Sequence, residues 1–296
     1  MSAPSLAKAA TLTVVSYNLL AQVYVRSSYF PYCDSKYLRK SYREATMGVQ
    51  LSKLSADADL LCLQEVDAEH SWLDNAMKAN GLVGIFKQKT GGKKDGIAIY
   101  MRDDRFSISK TNYVEYNDAV AHLEEGDEIR ERMWKNGVGI VLHLNDKLRD
   151  NKDLVIATTH LFWDPAFADV KKAQIDLLMD AAEEASNSGK IATIICGDLN
   201  SMPNSDVYAA LKAKYKSAYA VGGNGKEPQF TTCTPKFTST IDYIFFRDGE
   251  STRLGVNSVL PMMSKEEAMK ENGLPNGEQN SDHLPLKASF EVLDLH

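Results

Sequence analysis

The stretch IICGDLN, Ile194 to Asn200, sets the frame for the chain. A short β-rich apolar run meets Gly197 and then two polar residues able to do chemistry, Asp198 and Asn200. Such a run, bounded by turn formers, reads as a buried strand. Alone the tetrapeptide says little, because Asp and Asn favour turns in any protein. It gains weight because the same design recurs: Asn18 follows VVSY, Glu65 follows LLCLQ, and His160 follows VIATT. Asp242 lies inside TSTIDYIFF, and Asp282-His283 precedes a further strand as SDHLPL. Acidic, amide and imidazole groups at strand ends are the pattern of a layered α/β enzyme. A turn or cap suffices for each carboxylate taken singly. His70, His122, His143 and His296 read as structural hydrogen-bonders.

Working outward, strands are expected at Thr11–Tyr17, Asp59–Leu63, Ile97–Met101, Gly139–Leu144, Leu154–Thr159, Ile191–Cys196, Ile241–Phe246 and Leu286–Phe290. Helical spacing marks Tyr37–Leu54, His70–Ala79, Phe167–Ala185 and 206–214. Aperiodic stretches rich in glycine, asparagine and charge, at 87–95, 221–229 and 264–281, read as surface loops. No repeat or linker divides the chain, so residues 1–10 are expected as a tail and 11–296 as one catalytic domain.

The 296 residues are 44% hydrophobic, enough for a sizeable core, and carry a formal charge of -6. That balance argues against coating nucleic acid by bulk positive potential, and leaves room for a nuclease whose carboxylates await a cation. Such an enzyme needs a local basic strip. The candidates are Lys87, Lys89, Lys93 and Lys94, or Lys36, Arg39, Lys40 and Arg43, with a solvated face as the plainer account of both and preferred for the second. Cys33, Cys62, Cys196 and Cys233 form no CxxC pair, which suits a reducing compartment without structural zinc. No apolar run is long enough to span a bilayer, and the first ten residues lack a leader's apolar core. A cytoplasmic protein, present also in the nucleus, is the expectation.

Oxygen donors from several strand ends suit magnesium, which takes a few carboxylates and keeps water for a phosphate. Glu65 is the expected principal ligand, with the Asn18 amide oxygen beside it. Asp198 and Asn200, two apart, would share one side of a strand end. One would serve as base while the other orients water or phosphate.

These motifs in this order resemble the endonuclease/exonuclease/phosphatase (DNase I-like) superfamily. SYNLLAQ (16–22), CLQEV (62–66), KDGIAIYMR (94–102), THLFWDP (159–165) with DVKKAQ (169–174), CGDLNSMPNSDVYAAL (196–211), FTTCTPKFTSTIDYIFF (230–246) and SDHLPL (281–286) carry the likeness over almost the whole chain. SYNLLAQ and HLFWDP point to the deadenylase branch of carbon-catabolite-repressor-type nucleases, nocturnin and the Angel proteins. The resemblance implies an α/β fold, a four-layered α/β/β/α sandwich of two mixed sheets flanked by helices. It implies one or two Mg2+ ions, with Mn2+ an alternative, held by Glu65, Asn18, Asp198, Asn200 and Asp282. Asp198 would help activate water; His283 would contact the scissile phosphate with Asp242 fixing its tautomer. His160 would donate to phosphate or leaving group, with Asp95 as its carboxylate partner.

In such deadenylases an aromatic residue and a proline sandwich adenine. The matching positions are Phe237 and Pro165, with Asn200 within reach of the base; a core role for Phe237 is the alternative. The implied activity is 3′–5′ exoribonuclease action on poly(A) that releases 5′-AMP. Other readings are a phosphodiesterase or phosphatase on a small adenylate (2′-5′ oligoadenylate, a 2′,3′-cyclic phosphate or the NADPH 2′-phosphate) and an inactive RNA-binding module. The implied partner is an RNA 3′ end or a small adenylate, with no membrane, for a monomer. Phe162 stands where the branch usually has a second histidine. No leucine-rich repeats precede the domain, which implies no docking through them.

Overall fold

The computed structural model describes residues 10–295, so the expected tail, except Ala10, and His296 lie outside the described residues. The chain runs β1 (Ala10–Asn18), α1 (Lys40–Ser55), β2 (Leu60–Asp67), α2 (Ser71–Ala79), β3 (Leu82–Gln88), β4 (Asp95–Arg102) and β5 (Phe106–Glu115). It continues through α3 (Glu128–Met133), β6 (Val138–Asp146), β7 (Lys152–His160), α4 (Ala168–Ala185), β8 (Thr193–Asp198), α5 (Asp206–Lys214) and β9 (Lys216–Ser217). Then follow α6 (Ala218–Gly222), β10 (Thr232–Cys233), β11 (Thr238–Ser239), β12 (Asp242–Arg247), β13 (Thr252–Val259), α7 (Lys265–Ala268) and β14 (Leu286–Asp294).

Two six-stranded mixed sheets result, in the orders β13-β14-β1-β2-β4-β3 and β5-β6-β7-β8-β12-β9. Alternate residues of the central strands serve different layers. Val14, Cys62 and Ile99 of one sheet meet Leu142, Ile156, Ile194 and Ile244 of the other in a core between the sheets. Their neighbours Val15, Leu61 and Leu63 pack outward on Met47 and Leu51 of α1 and Leu73 and Met77 of α2. Val155, Ala157, Ile195 and Phe245 pack outward on Ile175 and Leu178 of α4 and Leu211 of α5. Helix, sheet, sheet and helix are the four layers expected. Burial on both faces is why the central strands read as continuous apolar runs.

Several details correct the sequence reading. The first helix opens at Lys40, three residues late, after Arg39 in extended backbone. Arg43 is not part of a solvated face: it is 5% exposed. Its guanidinium donates to the carbonyls of Leu19, Leu20 and Asn280. The 264–281 stretch is not wholly surface: it contains α7, capped by Ser264 and Glu267, and buries Leu274 against Phe230 and Cys233. Likewise Lys87-Gln88 close β3, Asp95 opens β4, and α6 reaches into the 221–229 loop.

Candidate active site

Strand direction gathers the polar groups at one edge. β7 runs parallel to β8 with His160 opposite Asp198, and β12 runs antiparallel to β8 with Asp242 also opposite Asp198. In the other sheet β1 and β2 are parallel, while β14 runs antiparallel to β1. The Asp282-His283 turn therefore falls beside Asn18, and Ser281 Oγ donates to the Asn18 carbonyl at 2.7 Å. Asn18 joins the sheets: its Nδ2 donates to Glu65 Oε1 at 3.1 Å and to Asp198 Oδ2 at 2.9 Å.

Two local distortions aim the carboxylates. The β2–β4 register slips between Gln64 and Val66, and Glu65 there takes φ +50°. A β-bulge of this kind turns its residue out of the strand's alternation. Glu65 thereby points at Asn18 and accepts from the Ala21 N–H at 3.0 Å. In β8, Gly197 has φ +152°, and a Cβ there would lie 2.2 Å from the Thr159 carbonyl oxygen. Only glycine lets β8 approach β7 so closely while Asp198 faces the site.

The electrostatics follow from burial. Desolvation raises Glu65 above the ordinary carboxylate range. Asp282 is raised for the same reason. Asp198 is pushed up to about 7, first by burial and then by the Asp242 carboxylate. His283 Nδ1–H donates to Asp242 Oδ2 at 2.9 Å, and Thr231 Oγ donates to the same oxygen at 2.6 Å. Burial works against a charged His283, yet Asp242 and Asp198 hold its pKa well above the ordinary value. His160 goes the other way, kept well below it by burial and by the Lys89 ammonium.

Most expected site residues converge: Glu65, Asn18, Asp198, Asn200, Asp242, His160, Asp282 and His283. Three are corrected in what they do. Asp95 does not touch His160; it accepts from Tyr24 Oη at 2.8 Å and from Lys89 Nζ at 2.7 Å. Lys89 stands between them, 3.3 Å from His160 Nδ1. The carboxylate beside His160 is Asp198, 3.5 Å from Nε2. Asn18 offers the site its amide NH2, because its Oδ1 accepts from the Leu20 N–H at 2.9 Å. Asn200 lies beyond the strand at φ +45°, with Nδ2 donating to the Leu161 carbonyl and its N–H to Asp198 Oδ1, both at 2.9 Å.

Two clefts open on this floor, sharing Trp163, Asn200, Asp282 and His283. One, of about 530 Å³, is walled by Pro165 and Phe237. Phe237 is 48% exposed, which excludes the core reading. The other, of about 670 Å³, is walled by Lys89, Lys93, Lys135, Tyr24 and Phe162. Sequence reasoning placed Lys89 only in a basic strip, and gave no site role to Trp163 or to Lys171, which is buried and donates to the Asn200 carbonyl at 2.9 Å. A lysine in an amphipathic helix carries no signal that its ammonium turns inward.

Asp198, Asp242 and His283 also place donor atoms within 4.8 Å of one another. Within that trio His283 Nδ1 and Asp242 Oδ2 are hydrogen-bonded to each other at 2.9 Å. Glu65, Asp198 and Asp282, the carboxylates expected to hold a cation, are each desolvated and offer oxygen donors only, a chemistry that suits a hard divalent ion.

Residues 15–264 match the Endonuclease/Exonuclease/phosphatase family. Carbon catabolite repressor protein 4 homolog 4 of Arabidopsis thaliana is 31% identical over 94% of this chain and 77% of that protein. The CCR4-Not complex 3′-5′-exoribonuclease subunit Ccr4 of Saccharomyces cerevisiae is 32% identical over 96% of this chain, which spans only 39% of that protein. The structure of ANGEL2, a 2′,3′-cyclic phosphatase, bound to adenosine-2′,3′-vanadate superposes with a TM-score of 0.82 at 24% identity, covering 98% of each chain. The human Nocturnin catalytic domain gives 0.72 at 23%, over 95% of this chain and 94% of that one. At such identities the structures speak for the fold alone. The chain belongs to the endonuclease/exonuclease/phosphatase family, in the branch of the carbon-catabolite-repressor-type deadenylases, and is a metal-dependent hydrolase of phosphodiester bonds.

Proposed function

We propose that the chain is a magnesium-dependent 3′–5′ exoribonuclease that acts on poly(A) and releases 5′-AMP. The observation that carries this reading is the Pro165–Phe237 cleft, which leads an exposed aromatic face to the Asn200–Asp282–His283 floor. A base stacked on such a face gains roughly 1–3 kcal/mol, and its phosphate would then reach the floor.

Glu65, Asp198 and Asp282 would hold the Mg2+, with Asn18 bridging the first two. When bound, the ion supplies charge neutralisation at the phosphate and a more acidic water. Asp198 accepts the proton of the attacking water. His283, held charged by Asp242 through Nδ1, offers its Nε2–H to a phosphate oxygen. His160, held neutral with Nδ1 toward Lys89, donates from Nε2 to the phosphate or to the leaving 3′ oxygen.

The test presents oligo(A), oligo(U), 2′-5′ oligoadenylate, adenosine 2′,3′-cyclic phosphate and NADPH to the enzyme with Mg2+, with Glu65→Ala and EDTA as controls. Stepwise 5′-AMP release, faster from oligo(A) than oligo(U), is expected, with Phe237→Ala erasing the preference. Turnover of only a small adenylate would replace the substrate and keep the chemistry. Silence on all five would return the chain to an RNA-binding role.

A further inference from the structure

The two clefts divide a substrate. In the reaction above, water adds to phosphorus and the bond from phosphorus to the upstream O3′ breaks, with the proton passing to that oxygen. The 3′-terminal nucleotide leaves as 5′-AMP and the shortened strand keeps a 3′ hydroxyl. With the terminal adenine between Pro165 and Phe237 and the phosphate on the floor, the upstream ribose lies on the phosphate's other side. The second cleft is the space that shares this floor.

Its wall is built for a polyanion. Lys87 and Lys89 are paired with Glu115 and Asp95, but among the described residues Lys93 and Lys135 have no carboxylate partner. Lys135 donates to the Glu131 carbonyl at 3.0 Å, and its ammonium sits 5.6 Å and 4.8 Å from the rings of Phe162 and Phe167. Those rings pack edge to face at 5.2 Å, a fixed base under a charged head. Trp163 stands 68% exposed on the ridge between the clefts, a large apolar face with nothing covering it. In a protein of net charge -6, an unpaired cationic wall beside an acidic floor is a local feature aimed at phosphate.

We infer that the Lys93–Lys135–Trp163 cleft is the subsite for the upstream nucleotides of the RNA, the two lysines meeting phosphates and Trp163 stacking the penultimate base. Phe162, which can offer the backbone no hydrogen bond, acts by placing Lys135. The inference rests on the exoribonuclease reading and adds that the enzyme grips a strand rather than a mononucleotide end.

The experiment measures KM and kcat on oligo(A) of two, four and eight nucleotides at several salt concentrations. Wild type, a Lys93→Ala/Lys135→Ala double variant and Trp163→Ala are compared, each checked for a Mg2+-induced thermal shift as a test of folding. For wild type, kcat/KM should rise with length. In the double variant the octamer's KM should rise roughly tenfold, and its salt slope should fall by about 1.4, two phosphates at ~0.7 each on a single strand. Trp163→Ala should raise KM for all three lengths, each of which has a penultimate base, by roughly 5- to 150-fold, the range of one lost stack. A double variant with the octamer KM and salt slope of wild type would overturn the subsite while wild-type activity on oligo(A) left the exoribonuclease reading standing. Wild type inert on every oligo(A) would sink both.

Discussion

Two histidines of one site are given opposite charges by their neighbours. His283 faces Asp242 and Asp198 and is held protonated; His160 faces Lys89 and is held neutral. If the charged ring binds the phosphate, activity must fall on the alkaline side as His283 loses its proton. Asp242→Asn removes the carboxylate that holds it, so its pKa drops and the alkaline limb moves to lower pH. The expected loss in kcat is on the order of 10²- to 10⁴-fold, the usual span for a misplaced acid–base group. A pH–rate profile checks it, and an unmoved alkaline limb would assign the charge of His283 to another cause. Lys89 makes a second case. Lys89→Met removes the donor to His160 Nδ1, so the ring is free to take the other tautomer or a proton. A loss of about tenfold or more in kcat is expected, with Lys89→Arg recovering part of it. ¹⁵N NMR of the His160 ring should show an unprotonated Nδ1 in wild type and not in Lys89→Met.

At the scale of elements, what the sequence conveyed was decided by burial. The central strands were legible because both faces are buried and their polar ends interrupt an apolar run: VVSY–Asn18, LLCLQ–Glu65 and IICG–Asp198. The strands missed are β3, β5, β9 and β13, each at the edge of a six-stranded sheet, and the two-residue β10 and β11, which form a two-stranded sheet of their own. Edge strands keep a solvated face, as Val83 and Ile108 do, so neither alternation nor a continuous run survives in them. The bulge at Glu65 left no mark at all, since it depends on how β2 meets β4. Nor did the partner of His160: Asp95 and Lys89 are both polar residues of one hairpin, and only the three-dimensional turn decides which faces the ring. Arg43 was misread for a related reason, because a charge on a helix looks solvated until its guanidinium is followed to three carbonyls. Those carbonyls belong to the turn after β1 and to the approach to Asp282, the two segments that carry Asn18 and Asp282. Arg43→Lys keeps the charge and loses the fork, leaving buried carbonyls unpaired at a cost of roughly 2–4 kcal/mol. Denaturant unfolding should register that loss, and Mg2+ titration should show weaker binding, because Asp282 is no longer tethered to α1.

On the scale of the molecule, the site lies on the seam between the sheets, and the seam carries unfavourable charge. Glu65 comes from one sheet, Asp198 from the other, and Asp282 from the turn that precedes β14. All three carboxyls have raised pKa values, so the fold prefers them protonated. The sign is fixed by that preference. Below the ordinary carboxylate range the folded and unfolded chains are both protonated and no penalty exists. For Asp198 the penalty grows as the unfolded chain ionises above 3.8 and is complete once pH passes about 7, and for Glu65 and Asp282 it has the same sign. His283 adds to the same trend, because its favourable charged form is lost as pH rises through its elevated pKa. His160 opposes it from its lowered folded pKa up to about 6.5, where the unfolded chain's imidazole discharges. The metal-free protein should therefore lose thermal stability between pH 5 and pH 7.5. A divalent cation held by these three carboxylates would bind the ionised set and link the sheets, so its benefit should be small at pH 5 and large at pH 7.5. At a hundredfold excess over its dissociation constant it contributes about 2.7 kcal/mol, a rise of roughly 5 °C in a chain of this size. Asp198→Asn removes one member of the repelling set and should flatten the pH slope of the metal-free protein while weakening the response to Mg2+. Thermal melts at several pH values, with EDTA and with Mg2+, measure both effects. A melting temperature at pH 7.5 indifferent to Mg2+ would place the cation elsewhere than on the seam.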